Sequence, residues 1–344
     1  MTPQRGRPPR LDDVARVAGV SHQTVSRVVN GLPNVSAATQ ARVEEAIEQL
    51  GYRRNRAARE LVTGRSNVIG LLTPWTHHFG PAGSMLAAET AARKAGYAVS
   101  VRSAEDASQD SMDDAVEHFL SLGVEAVVMI APEREWLVAA EQISTTVPVV
   151  LMNADVATPG ERLGSVAMDN TAAGRRVAAY LAELGHRDVT HIAGPLDSYE
   201  AAGRQRGWES GLQVRGLPRR PVLHGDWTAA GGAAAATQLI EAGLPTAVFA
   251  ANDQMALGLM WALGQAGVSV PGDVSVVGFD DVPEAPFYGP GLTTIRQDFA
   301  TLGTECIDIL EQMLAGGAAK AVNVRPELVV RASTGPPASR PTSA

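Results

Sequence analysis

The residues that first offer chemistry are His22, Gln23 and Arg27. Gln23 and Arg27 are four apart, so on a helix they share one face, with His22 beside them in the first turn. In a major groove Gln suits adenine and Arg suits guanine, each through a pair of hydrogen bonds. Around them Ser21, Thr24, Ser26, Asn30, Ser36 and Thr39 carry short polar groups that suit phosphate oxygens.

The elements that must position these groups are short helices. Leu11, Val14, Ala15 and Ala18 recur at helical spacing, and Gly19 supplies a tight turn. Ser21 is a good cap for a second helix over 22–30, whose apolar side is Val25, Val28 and Val29. Ser36 caps a third that runs to Leu50, with Val43, Ala46, Ile47 and Leu50 as its stripe and Gly51 at its end. A helix, a glycine turn and a polar-faced second helix form a helix-turn-helix. A small solvated bundle with an ordinary polar face has the same spacing, and the spacing alone leaves both open.

Charge separates them. The 344-residue chain has a net charge of −8, yet residues 1–67 hold 11 Arg against 6 Asp and Glu. A basic head on an acidic body implies that the head alone meets a polyanion. Every basic residue of the head is Arg, which suits forked contacts to phosphate and guanine. The whole chain has only Lys94 and Lys320, so codon usage explains Arg over Lys equally well. It does not explain the asymmetry.

Other classes recede. The single cysteine, Cys306, excludes an intrachain disulfide framework and a cysteine-based zinc cluster. His77-His78 lacks a partner at metal-ligand spacing, and neither a metal nor a cofactor is expected. No apolar run approaches the ~18–20 residues of a membrane helix. The basic N-terminus leads to Asp12 and Asp13 rather than to a signal core, so a cytoplasmic protein is expected. Nucleotide-loop, zincin and nucleophile-elbow motifs are absent, and an enzyme is not expected.

The chain divides into a disordered basic arm (1–10), a helix-turn-helix domain (11–52), a linker (53–66), a body (67–331) and a disordered tail (332–344). Within the linker, 55–64 could form two helical turns but has too few apolar residues to stand alone. It is expected to order only on a partner. In the body, strand-like runs at 68–73, 97–101, 124–130 and 147–151 make one set, and 189–193, 221–223, 246–250 and 274–279 a second. Helical stretches at 82–95, 113–122, 171–184, 228–241 and 253–265 fit between them. The pattern predicts two α/β lobes with doubly wound parallel sheets.

The string from Asp13-Val14-Ala15 through Val25-Ser26-Arg27-Val28-Val29-Asn30 resembles the signature of the lactose-repressor/galactose-repressor family of bacterial transcription regulators. The resemblance continues at Asn55-Arg56-Ala57-Ala58, Gly185-His186-Arg187, Gly225-Asp226-Trp227, Asn252-Asp253-Gln254-Met255, Gly278-Phe279-Asp280-Asp281 and Gln297-Asp298-Phe299. It implies a homodimer on palindromic double-stranded operator DNA. It also implies that 55–64 is a hinge helix in the minor groove, with Asn55, Arg56 and Ala58 at the DNA and Leu61 as the wedge between base pairs. Arg54 stands where the family usually has proline. A member of the family tetramerises through C-terminal leucine heptads. Residues 332–344 contain no Leu, Ile or Val, so a dimer is expected.

By the same resemblance the body is periplasmic-binding-protein-like, with a small-molecule effector between its lobes. Such ligands sit at the carboxyl ends of parallel strands. There the resemblance places Arg204, Asn252 and Asp280, with Trp227, Gln297 and Asn153 next; Trp75, His78 and Phe79 follow the first strand and are expected on the other wall. Asp, Asn and Arg suit vicinal hydroxyls, and Trp227 could cover an apolar sugar face. The effector is therefore expected to be a sugar or oligosaccharide that releases a repressor. Asn153 stands where a member of the family carries aspartate. The alternatives are a corepressor-dependent member using a purine or a protein partner and, more remotely, a solute-binding receptor.

Overall fold

Local sequence explains where the first helices start and stop. The computed structural model describes residues 9–29, 33–52, 64–143, 145–154 and 160–338. The chain forms two compact units, Met1–Ser66 and Asn67–Ala344.

The first unit contains α1 (Leu11–Ala18), α2 (His22–Val29) and α3 (Ala37–Leu50). Gly19 ends α1 at φ 64°, a backbone that a side chain would strain. Arg10 offers no acceptor to cap α1, but Asp13 reaches back and accepts from the Arg10 amide at 2.9 Å. Half of a capping box therefore survives. Ser21 Oγ accepts from the Thr24 amide at 3.1 Å, and Ser36 Oγ from the Thr39 amide at 3.3 Å. Val14, Val25, Val29, Val43, Ala46 and Tyr52 close the core from all three helices.

The second unit has two six-stranded sheets. The first runs β2 (Ala98–Ala104), β1 (Val68–Pro74), β3 (Ala126–Ile130), β4 (Val149–Met152), β5 (Leu163–Met168), β11 (Ala321–Val324). The second runs β7 (Leu223–His224), β6 (Val189–Ala193), β8 (Ala247–Ala250), β9 (Ser275–Asp280), β10 (Thr293–Arg296), β12 (Glu327–Val329). Pairing is parallel except between β10 and β12. Strands such as β3, Ala-Val-Val-Met-Ile, are apolar throughout because helices cover both faces. In each sheet the order reverses beside its first strand, and the crevice at that switch point is where ligands bind in open α/β sheets.

The lobes are not continuous in sequence. After β10 the helix α11 (Phe299–Leu314) packs Leu302, Cys306 and Leu310 onto the first lobe, beside Ile69 and Val128. β11 then pairs with β5, and β12 returns to the second sheet. The chain thus crosses between the lobes at Asp169–Asn170, Gln297–Asp298 and Arg325–Pro326. The remaining helices are α4 (Phe79–Lys94), α5 (Gln109–Ser121), α6 (Arg134–Gln142), α7 (Asn170–Glu183), α8 (Tyr199–Val214), α9 (Ala229–Ala242) and α10 (Asp253–Gln265). Helices α7 and α8 touch backbone to backbone: a Cβ on Gly207 would collide with the Thr171 carbonyl, and one on Gly174 with that of Arg204.

The tail departs from expectation. Residues 332–335 belong to the second lobe. Ser333 is fully buried; its Oγ accepts from the Thr293 amide at 2.8 Å and donates to the Val276 carbonyl at 2.6 Å. Gly335 O accepts from the His186 ring at 2.9 Å, if Nε2 carries the proton. Small polar residues read as a tail by composition, but their backbone groups fasten β9 and β10. Among the described residues no helix is long and apolar enough to cross a membrane.

Candidate nucleic-acid interface and ligand cleft

On the first unit, His22, Gln23 and Arg27 are exposed on α2, opposite buried Val25 and Val29. Gln23, Thr24 and Arg27 line a surface hollow together with Ser21, Ser36 and Thr39. Two of the residues chosen for bases and four of those chosen for phosphates therefore share one concavity, while His22 and Ser26 do not line it. The hydroxyls of Ser21 and Thr24 lie 2.8 Å apart and those of Ser36 and Thr39 2.9 Å apart, so both pairs also serve as caps. His22 lies 3.9 Å from Asp12. Asn30, Asn55, Arg56, Ala58 and Leu61 lie outside the described residues.

In the second unit a narrow cleft, partly open to solvent, lies between the carboxyl ends of the two sheets. Arg204, one turn and more into α8, is only 1% exposed. Its Nε donates to Asn170 Oδ1 at 2.8 Å and its Nη1 to the Ala251 carbonyl at 2.5 Å. Its Cζ stands 3.5 Å above the Phe279 ring and 5.5 Å from the Trp227 ring. Burial pulls its pKa down, while Glu200, Asp280 and Asp253 hold the charge in place. Nη2 has no hydrogen-bond partner; the nearest carboxylate oxygen, Glu200 Oε1, is 3.6 Å away.

Asp280 ends β9 at φ 116°, and Trp227 sits at φ 68°. Such conformations persist in side-chain-bearing residues where surroundings over-determine them, and they cluster at ligand sites. Gln297 Nε2 donates to Asp280 Oδ1 at 2.7 Å, leaving Gln297 Oε1 unpartnered. Burial raises Asp280 well above the usual carboxylate range, against the pull of Arg204. Trp227 packs its indole against Gly194, where a Cβ would collide with the ring. From the first lobe come His78, Phe79 and Glu133. Phe79 is braced edge-to-face by Phe299, with centroids 5.6 Å apart. Burial lowers the pKa of His78, and the neighbouring His77 lowers it further.

This geometry can bind a small polar molecule with an apolar face. Comparison with known proteins agrees. Residues 10–55 match the description "Bacterial regulatory proteins, lacI family", and residues 178–334 match "Periplasmic binding protein-like domain". The chain is 36% identical over 330 residues to the lactose operon repressor of Escherichia coli (strain K12), covering 95% of this chain and 91% of that one.

The chain belongs to the lacI family of bacterial regulatory proteins.

Other lacI-family relatives include the regulator CelR of Thermobifida fusca, 32% identical over 96% of this chain and 99% of its own. Among solved structures, the lac repressor dimer bound to operator and the anti-inducer ONPF superposes with a TM-score of 0.81. It is 34% identical, and the match covers 96% of this chain and all of that one. A CelR–cellobiose complex gives 0.70 at 30% identity, covering 94% of this chain and 99% of that one.

Within this lacI-family body, Arg204, Asn252, Asp280, Trp227, Gln297 and Phe79 line one cleft. Three assignments change in detail. Trp75 is 80% exposed and does not line the cleft; its amide donates to Ala104 O at 2.9 Å, prolonging the β1–β2 ladder. His78 and Phe79 line the cleft as expected. Asn153 lines an adjoining hollow with Asn170 and Gly203, and donates to Glu200 Oε1 at 3.2 Å. Asn252 reaches the cleft, but its Oδ1 accepts from the Met255 amide at 2.9 Å and its Nδ2 donates to the Trp227 carbonyl at 2.9 Å. It is first a cap for α10 and a clamp on the Trp227 loop.

Residue types in sequence missed Glu133, Glu200 and Asn170. Glu200 was signalled by its i, i+4 spacing to Arg204. Nothing local marked Glu133 or Asn170, because the former meets the cleft through pairing between lobes and the latter holds Arg204 from the chain crossing.

Proposed function

We propose that this protein is a transcription repressor that binds a palindromic operator as a homodimer and is released by a sugar bound between its lobes. The single observation that carries the DNA half is the α2 hollow, which gathers Gln23, Arg27, Ser21, Ser36 and Thr39 on one exposed surface. A dimer places two such helices in successive major grooves. On this reading residues 55–63, which lie outside the described residues, meet the minor groove between them, with Leu61 as the wedge. The family relation supports this, since a relative of 34% identity is a dimer bound to operator. The sugar half is supported by the cleft and by the relative bound to cellobiose. The protein acts where DNA is, in the cytoplasm, and catalyses no reaction.

Selection of bound DNA from random duplexes tests the reading, with the winning duplex retested against a panel of sugars. A palindrome released by one sugar is expected. A palindrome tightened by a purine, or indifferent to sugars, replaces the inducer with a corepressor or a protein partner. No enriched duplex at low salt overturns the repressor.

A further inference from the structure

The cleft is held on two sides. On one side lie the chain crossings. On the other, the Tyr199 amide donates to Pro132 O and the Arg134 amide donates to Asp197 O, each at 3.1 Å. Glu133 and Ser198 thereby form an antiparallel bridge from the first lobe to the second. Glu133 stands at the centre of this latch and lines the cleft, with Oε2 buried and unpartnered.

We propose that the cleft selects an uncharged polyhydroxyl ligand against its phosphorylated counterpart, and that Glu133 is the specificity-determining residue, accepting a ligand hydroxyl across the latch. This rests on the sugar-effector reading and deepens it.

The unpartnered atoms set the demand. Gln297 Oε1 and Glu133 Oε2 need donors, and of the buried unpartnered atoms lining the cleft among the described residues Arg204 Nη2 is the donor. Gln297 and Arg204 are 5% and 1% exposed, so their partners must come from the cleft. A hydroxyl both donates and accepts, and vicinal hydroxyls satisfy this set. A phosphate monoester brings acceptors and about 1.5 to 2 negative charges.

The cleft has no place for that charge. Phosphate recognition by Arg uses a free fork. Here two arms of Arg204 are already spent on Asn170 and Ala251. The other usual anion site, the N-terminus of α4, faces Glu200: a Cβ on Gly80 would stand 3.7 Å from Glu200 Oε2. Pro81 removes an amide donor there. Burial, then Asp197, Glu135 and Glu200, lifts the Glu133 carboxyl to about 7. A site whose own carboxyls resist ionisation resists a phosphate dianion for the same reason.

The test is calorimetry on the full-length protein. The probes are glucose, galactose, ribose, lactose and cellobiose, with glucose 6-phosphate, galactose 6-phosphate and ribose 5-phosphate. One neutral sugar is expected to bind, and phosphorylation of that sugar or of its monosaccharide unit to weaken binding about a hundredfold. Glu133→Gln, shown to be folded by circular dichroism, is expected to bind the sugar about tenfold more weakly and to narrow the gap to the phosphate. A phosphate ester that binds as tightly as the sugar, or an unchanged gap in Glu133→Gln, overturns this inference alone. If no probe of either kind binds, the sugar-effector reading falls and this inference with it.

Discussion

Arg204 Nε donates to Asn170 Oδ1 at 2.8 Å, and Asn170 is the first residue of α7, where the chain has just crossed between lobes. Its counterpart is the bond from Gln297 to Asp280, at the second crossing. Two buried ionisable residues of the cleft, Arg204 and Asp280, are therefore fastened to the segments that cross between the lobes. A ligand that shifts Arg204 or Asp280 acts on those segments directly. On the proposed function, effector and operator are linked through one equilibrium, and that linkage is reciprocal.

Asn170→Ala is expected to weaken the effector's influence on operator affinity more than effector binding itself. It removes the tie to the crossing and leaves a buried guanidinium N–H unpaired, at about 1–3 kcal/mol. Operator titrations with and without the releasing sugar measure the coupling. Unchanged coupling would show that this crossing carries none.

Arg204→Lys is expected to reduce effector affinity by at least about thirtyfold, since an ammonium cannot reproduce the fork or the stacking on Phe279. Operator binding without effector should survive. Calorimetry and a gel-shift assay read the two separately.

Gln23→Ala and Arg27→Ala should each lose about 1–3 kcal/mol of discrimination at one base pair of each half-site. Thr39→Ala should instead weaken binding to all duplexes alike and leave the salt slope unchanged, because a hydroxyl neutralises no phosphate. Competition binding against single-base operator variants tells the two behaviours apart.

Glu133 sets a pH dependence. Its folded pKa, about 7, lies above its ordinary 4.5, so the folded state holds its proton more tightly. Its contribution to stability is full below about 4.5 and is lost as pH rises through about 7. Glu133→Gln should therefore raise the melting temperature at about pH 8 and leave it nearly unchanged at about pH 4. Effector binding should run the other way in the parent protein, strengthening from about pH 6 to pH 8 as the carboxylate forms.

Ser333→Ala removes two buried hydrogen bonds and is expected to cost about 1–3 kcal/mol in urea unfolding. Wild-type stability in that variant would mean that residues 332–335 decorate the lobe without supporting it.

The sequence by itself determined the local elements. The helix-turn-helix was legible because its signals are local: apolar spacing at Val14, Val25 and Val43, a left-handed glycine at Gly19 and serine caps at 21 and 36. Helix α10 was read with both ends correct, since Asn252 caps it and its apolar face is continuous. Arg204, Asp280 and Gln297 were legible through motif resemblance, which ties a position to a role.

Only the tertiary structure decided what long-range pairing controls. It placed α11 and β11 in the first lobe, because Leu302, Cys306 and Leu310 complete that lobe's core. It turned Trp75 to solvent and seated Asn153 in the adjoining hollow. It set Glu133 against Ser198 across 64 residues of intervening chain, which no spacing rule encodes. Periodicity reports which face of an element is buried; which other element covers that face depends on the register and crossing of the whole chain.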